Sequence, residues 1–160
     1  MLRFGTVLLT LATLHLQGRE IEFWPYERLE READLIVIGP AEKSEDSGEL
    51  VPGPLWKIEF VGVNTLFKVT GVLKGRCKEN QLTVFHLRIP DGFTLKDPPS
   101  TITFRTGVLP IRSPGKVTSL ARPEYLLFLK KRADGRFEPL SGPLESCHSF
   151  RELYLPTSGP

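Results

Sequence analysis

The stretch from Leu66 to Leu87, LFKVTGVLKGRCKENQLTVFHL, constrains the fold most, because it alternates, bends, turns through polar residues and alternates again. Phe67, Val69 and Leu73 fall on one side of an extended chain and Lys68, Thr70 and Lys74 on the other, the pattern of a half-buried strand. Gly71 interrupts the inward row. A glycine there supplies no side chain to a core and marks a bulge or sharp bend, which a small barrel needs in order to close. Val72 points outward, so the strand is expected to meet something on its second side. Gly75 ends the strand, RCKEN makes a solvated turn, and Leu82 and Val84 restart the alternation. The apolar row then changes parity to Phe85, Leu87 and Ile89, which predicts a bulge near Val84 to Phe85.

The remaining segments are consistent with a mainly β chain. Pro25 to Ala33 (PYERLEREA) predicts one short helix, with Tyr26, Leu29 and Ala33 near one face and pairs Glu27/Arg31 and Arg28/Glu32 at helical spacing. Leu35 to Ile38 is a continuous apolar run and predicts a fully buried strand. Ala41 to Pro54 is polar, acidic and rich in turn formers, and predicts a mobile loop. Trp56, Ile58 and Phe60 alternate with charges and lead toward Val63, either as one long bent strand or with a turn at Asn64. Ile102 and Phe104 predict a short strand, Gly107 to Leu120 a loop, and Glu124 to Lys131 a central strand. RADGR turns that strand back into Phe137 to Leu140, with Gly135 free to take the positive φ of a hairpin. Leu153 and Leu155 are expected to cap one barrel end, and Pro156 to Pro160 to fray. No second helical layer is in sight, so the expectation is a closed or nearly closed barrel of five or six strands with one short N-terminal helix. Its core should hold Phe67, Val69, Leu73, Phe85, Leu127 and Leu129.

Residues 1–18 have the form of an export signal: Arg3 gives a positive start and Phe4 to Leu16 an apolar run. That run is shorter than the roughly 20 residues of a membrane-spanning helix. Gly18 suits a cleavage site and Leu16 does not, so both cleavage and retention as an anchor fit. Residues 19–160 then make a single barrel domain, secreted or periplasmic, without a membrane span. A net charge of +2 gives no ground for a nucleic-acid partner, but the charge is unevenly spread. Acids dominate from Arg19 to Pro54 and bases from Thr101 to Arg136. The two tracts read either as solvated faces that attract each other or as a basic patch for a polyanion, made of Arg105, Arg112, Lys116, Lys130, Lys131 and Arg132.

Chemistry-bearing motifs are absent. There is no G-x-S-x-G, no phosphate-binding glycine loop and no H-E-x-x-H, so no catalytic residue is assigned. Cys77, Cys147, His86 and His148 lack the spacing of a metal site, and no metal or cofactor is expected. In an exported chain the two cysteines, Cys77 and Cys147, are either one disulfide or two separate thiols.

The succession ADLIVIG (Ala33 to Gly39), an acidic segment, FKVTGVLKG (Phe67 to Gly75), LTVFHL (Leu82 to Leu87) and EYLLFLKKRADGRFEPLSG (Glu124 to Gly142) resembles a known family. It is similar to small exported bacterial proteins whose domain is like the tissue inhibitor of metalloproteinases and netrin modules. The resemblance spans Ala33 to Leu155 and implies an OB-type barrel and export. Animal members inhibit zinc proteases through a cysteine at the mature N-terminus. No cysteine lies near Arg19, so that mechanism and its residues do not transfer. The expected function is a non-enzymatic extracytoplasmic binding module for a protein or envelope component. A polyanion or nucleic-acid binder and an enzyme with a site assembled only in three dimensions are the alternatives.

Overall fold

A computed structural model describes the backbone of residues 24–107, 109–113 and 116–153, and the side chains of 24–107 and 122–153. The expected export signal, Leu155 and the frayed end lie outside the described residues. In chain order the elements are α1 (Tyr26–Glu32), β1 (Leu35–Gly53), β2 (Ile58–Lys68), β3 (Gly71–Lys74), β4 (Gln81–Arg88), β5 (Leu109–Ser113), β6 (Lys116–Ala121), β7 (Glu124–Lys131), β8 (Phe137–Pro139), a 3-10 turn (Ser146–Ser149) and β9 (Phe150–Leu153). The main sheet runs β3-β1-β2-β4-β8-β7-β9, and an additional β1–β7 pairing closes β1, β2, β4, β8 and β7 into a ring. The pairings around it are antiparallel except β4 with β8, which is parallel. This is the expected mainly β, OB-like barrel with one short helix.

The continuous apolar run that opens β1 is explained by burial on both faces. Leu35 and Val37 enter the barrel core with Phe67, Leu82, Val84, Leu127 and Leu129. Ile36 faces the other way and packs with Phe128 under Leu29 and Ala33 of the helix. That helix keeps the predicted Arg28–Glu32 pair at 3.4 Å, while Arg31 turns to Glu32 instead of Glu27. An aromatic plug fills the barrel interior around Phe104, whose ring lies edge-on to Phe67 at 4.8 Å, Tyr125 at 5.1 Å and Phe150 at 4.8 Å. The segment carrying Phe104 is irregular and not the expected strand. Its backbone is tied by the Arg105 N–H donating to the Tyr125 hydroxyl at 3.0 Å.

Strand β4 corrects a second expectation. Its register with β2 runs from Lys68↔Gln81 to Val61↔Arg88 without a shift, so no bulge lies at Val84 to Phe85. Leu82 and Val84 face the barrel core, whereas Phe85 and Leu87 face an outer cluster with Phe60. The outer cluster is covered by Trp56, Ile58, Ile89, Leu95 and Leu144, and the Trp56 indole donates to the Asp97 carbonyl at 2.7 Å. A strand buried on both faces needs no bulge to serve two cores.

The expected loop from Ala41 to Pro54 is mostly strand. Ala41 through Gly53 pair with Phe67 back to Ile58, with irregularities at Ala41/Lys43 and Asp46/Leu50. Likewise the expected loop from Gly107 to Leu120 contains the antiparallel hairpin β5–β6. Asn64 lies within β2 and makes no turn. The break comes after Lys68, and Leu73 is 64% exposed instead of in the core, with Val72 exposed beside it. Past the corner, β3 lies beside the first half of β1 with a register shift, and Lys74 donates to the Glu30 and Arg31 carbonyls at the end of α1. The close approach that makes this corner is at Gly39, not Gly71: a Cβ on Gly39 would lie 2.0 Å from the Lys68 carbonyl oxygen, while one on Gly71 would meet only the Ile38 side chain at 3.8 Å. The C-terminal segment is strand β9, hydrogen-bonded along β7, with Phe150 buried.

Candidate functional site

A concavity of about 610 Å³ lies where the ring is least complete. Two turns form its banks. On one side Gly75 adopts a φ of +82°, and the polar run that follows is held by the Cys77 thiol donating to the Glu79 carbonyl at 3.0 Å. On the other, Gly135 takes the anticipated positive φ of +90°, and the Arg132 N–H donates to the Arg136 carbonyl at 2.9 Å. Between them lie Leu66, Gln81 and Thr83, with Lys131 and Phe137 from the ends of β7 and β8.

The floor is an unfinished ladder. β4 and β8 pair at Val84↔Phe137 alone, so the N-terminal part of β4 has no strand beside it on that edge. The Val69 N–H donates to the Asn80 carbonyl at 2.8 Å, which sets the phase of the β2–β4 ladder. Hydrogen-bonded and non-hydrogen-bonded pairs alternate in an antiparallel ladder. With no register shift along it, Leu82 and Val84 bond toward β2, so the Val84↔Phe137 bridge joins Phe137 to the Thr83 carbonyl and the Phe85 N–H, and the Gln81 N–H and carbonyl and the Thr83 N–H face the groove.

Charge around the groove divides into used and unused groups. Arg132 and Arg136 stack over the Phe85 ring, at 4.2 and 4.7 Å from its centre. Arg136 also pairs with Asp134 at 2.7 Å and with Glu49 of β1 at 2.6 Å, and Arg132 with Glu138 at 2.9 Å. The Arg136 hydrogen bond holds the Asp134 carboxyl well below the usual range, and Asp134 in turn raises Arg136. These groups clamp the β7–β8 turn onto the β1–β2 arm. Arg76, Lys78 and Lys131, by contrast, are exposed cations that line the groove, and Glu79 is the remaining acid among its lining residues.

The basic patch expected from the sequence is not one surface. Arg105 lies at the Tyr125 end of β7, with its guanidinium 3.9 Å from Glu152. Lys130, Lys131 and Arg132 lie at the other end, about 17 Å away for five residues of strand. Arg112 and Lys116 fall on the β5–β6 hairpin, whose side chains are outside the described set. Arg132 is consumed by carboxylates, and among the described members of the expected group Lys131 alone lines the groove. Sequence reasoning missed Arg76, Lys78 and Arg136. Arg76 and Lys78 were visible as charges in the RCKEN turn, but only ring closure brings that turn opposite Lys131.

A second polar feature lies inside the barrel wall. His86 is buried, its Nε2 2.8 Å from the Thr65 hydroxyl, which is 2.7 Å from the exposed Ser44 hydroxyl. Nδ1 has no hydrogen-bond partner among the described residues. Burial pushes the imidazole down to about 4, weakly opposed by the Leu87 backbone. His86, Ser44 and Phe104 line a cavity of about 220 Å³, with Asp46 and Arg88 at its rim. Arg88 donates to both Asp46 carboxylate oxygens, at 3.1 and 2.9 Å, and so holds Asp46 below its ordinary range. A nucleophilic Ser–His pair needs the imidazole on the serine hydroxyl and a group orienting its other nitrogen. Here Thr65 stands between the two, and among the described residues no group orients Nδ1.

Cys77 and Cys147 are both free thiols, the first half-buried at the groove and the second half-buried in the 3-10 turn. Among the described residues no cluster of three or more His, Cys, Asp or Glu could hold a metal ion, and no helix is long and apolar enough to cross a membrane. No family model matches the chain, and neither a curated protein nor a solved structure does.

Proposed function

We propose that this protein is a non-enzymatic extracytoplasmic binding module whose partner, a protein or envelope component, is held in the groove between the Gly75–Asn80 turn and the β7–β8 turn. The observation that carries the reading is the combination of this 610 Å³ concavity with Arg76, Lys78 and Lys131, cations that no described acid neutralises. A volume of this size lies in the range of roughly 300–1,000 Å³ typical of ligand sites. The resemblance to tissue inhibitor of metalloproteinases and netrin modules supports the reading at the level of fold and export. The Ser44, Thr65 and His86 chain, which runs from the surface to the buried imidazole, is structural in this reading.

The test uses the chain from residue 19 onward as bait against the envelope fraction of its native source. Partners should be retained by the native protein and by Arg105→Glu, and lost with the double change Arg76→Glu and Lys131→Glu. A partner set unaffected by the groove change, or lost with Arg105→Glu instead, overturns the assignment of this face. The polyanion alternative predicts nucleic acid in the retained material, with binding that falls steeply as salt is raised.

A further inference from the structure

We infer that the occupant of the groove is an extended acidic peptide segment that adds a strand along the open edge of β4. This rests on the reading that the groove is the binding face, and it goes further by naming the chemistry of the partner. Two independent features point to it.

The first is backbone. In a ring barrel each strand is flanked on both edges, and edges left open pair with other chains. β8 begins at Phe137, opposite Val84, and its bridge takes the Thr83 carbonyl; ahead of it the chain is turning through Asp134 to Arg136, so no strand pairs with Gln81 or with the Thr83 N–H on this edge. The ladder phase set by the Val69–Asn80 bond directs the Gln81 N–H and carbonyl and the Thr83 N–H into the lane left open. A short extended segment entering in line with β8 completes what the chain leaves unfinished. Strand addition draws affinity from main-chain hydrogen bonds and specificity from side-chain sites.

The second feature is charge. The lining holds Arg76, Lys78, Lys131 and Arg136 against Glu79 and Asp134, and the Arg136–Asp134 pair at 2.7 Å cancels itself. What remains, Arg76, Lys78 and Lys131 against Glu79, favours carboxylates on the entering strand. Leu66 and Thr83, side by side across β2 and β4, give that strand a less polar floor. A basic segment would meet like charge on both banks, so the charge that attracts the acidic strand also rejects its opposite.

Fluorescence anisotropy with labelled peptides of about eight residues tests this. The probes are alternating glutamate and valine, the same peptide with alternate backbone nitrogens methylated, a lysine–valine counterpart, and inositol hexakisphosphate as a compact polyanion competitor. The expected result is binding of the glutamate peptide, loss of about tenfold on methylation, as one net hydrogen bond at the upper end of its range implies, and no binding of the lysine peptide. Lys131→Glu, an exposed change, should weaken the glutamate peptide about tenfold. Gln81→Pro removes a donor that points into the lane and not toward β2, and should weaken the peptide without affecting the polyanion. Equal binding of methylated and unmethylated peptides, both displaced by the polyanion and both lost with Lys131→Glu, overturns strand addition and leaves an anion-binding groove. Failure of every acidic probe to bind overturns the groove reading as well. A dimer in sedimentation that Lys131→Glu dissolves assigns the edge to a second copy of the chain and overturns the peptide.

Discussion

The barrel closes at two seams that differ in kind. Where β1 meets β7, pairing is continuous from Leu35↔Leu129 to Pro40↔Glu124. Leu35, Val37, Leu127 and Leu129 face inward there, and Ile36 and Phe128 are sealed from outside by the helix. Where β4 meets β8 there is one pair, Val84↔Phe137, and the flanks are turns carrying charge. One seam buries apolar surface on both faces and excludes water; the other leaves backbone and cations accessible. Stability is concentrated at the first, and the recognition we propose would fall at the second, a division that would let that edge vary in sequence without loosening the fold.

Truncations at the two seams separate them most widely. Leu127→Ala removes a fully buried side chain from the closed seam and should cost about 2–5 kcal/mol. Phe137→Ala, half-buried at the open seam, should cost clearly less. Urea unfolding of both variants measures the difference, and equal losses would mean that the seams bear the barrel alike.

The next effect belongs to β4, the strand between the open seam and β2. His86 on its inner face is held neutral by burial, with its pKa down at about 4. An unfolded chain has an ordinary imidazole near 6.5, so as pH falls the unfolded state takes up the proton first. The contribution is fully present above about 6.5 and is lost as pH falls through 4, for a total of about 3 kcal/mol at most. Unfolding midpoints measured from pH 7 to 4 should decline more steeply for the native protein than for His86→Phe. Parallel declines would show that His86 is free to protonate in the folded state.

How far this contrast could be read beforehand follows the burial. Leu35 to Ile38 and Glu124 to Lys131 were legible because residues sealed on both faces must be apolar whatever their partner. Phe67, Phe85, Leu127 and Leu129 were placed in cores correctly, although Phe85 belongs to the outer one. The second half of β1 was misread because Lys43 to Asp46 are exposed, so nothing in their polarity alternates; the ladder with β2 alone makes them strand. Leu73 was misread because alternation assumes an unbroken strand, and the corner over Gly39 breaks it. The groove was least legible of all. Arg76, Lys78 and Lys131 are ordinary surface charges in sequence, and their convergence is a property of ring closure. Of the expected patch of Arg105, Arg112, Lys116, Lys130, Lys131 and Arg132, Arg105 stands apart from Lys130 to Arg132 by the length of β7, and the side chains of Arg112 and Lys116 lie outside the described residues.

Within the open seam, the β7–β8 turn should prove less costly to disturb than either core. Arg136→Ala removes the contacts to Glu49, Asp134 and Asn64 and part of the cover over Phe85. Because the pairs are partly exposed, the expected loss is about 1 kcal/mol or less. The Asp134 carboxyl should rise toward its ordinary range at the same time, as followed by its carboxyl resonance against pH. An unchanged titration would place the hold on Asp134 with Arg132 instead.

The smallest change tests whether the open seam is open at all. Cys77 stands at the groove as a free thiol, donating to the Glu79 carbonyl at 3.0 Å, and a serine can make the same bond. Cys77→Ser should therefore shift stability by about 0.5 kcal/mol or less, as at a surface position without a special role. A bridge from Cys77 to Cys147 would behave otherwise, because closing so long a loop restricts the unfolded chain by about 4 kcal/mol in the chain-entropy model. Intact mass after alkylation of denatured, unreduced protein separates the cases. Two added alkyl groups accord with the free thiols of the structure, and none before reduction with two afterward means a disulfide. A disulfide would tie the turn that banks the groove to the 3-10 turn ahead of β9, and the contrast between a sealed and an unsealed seam would have to be redrawn around that link.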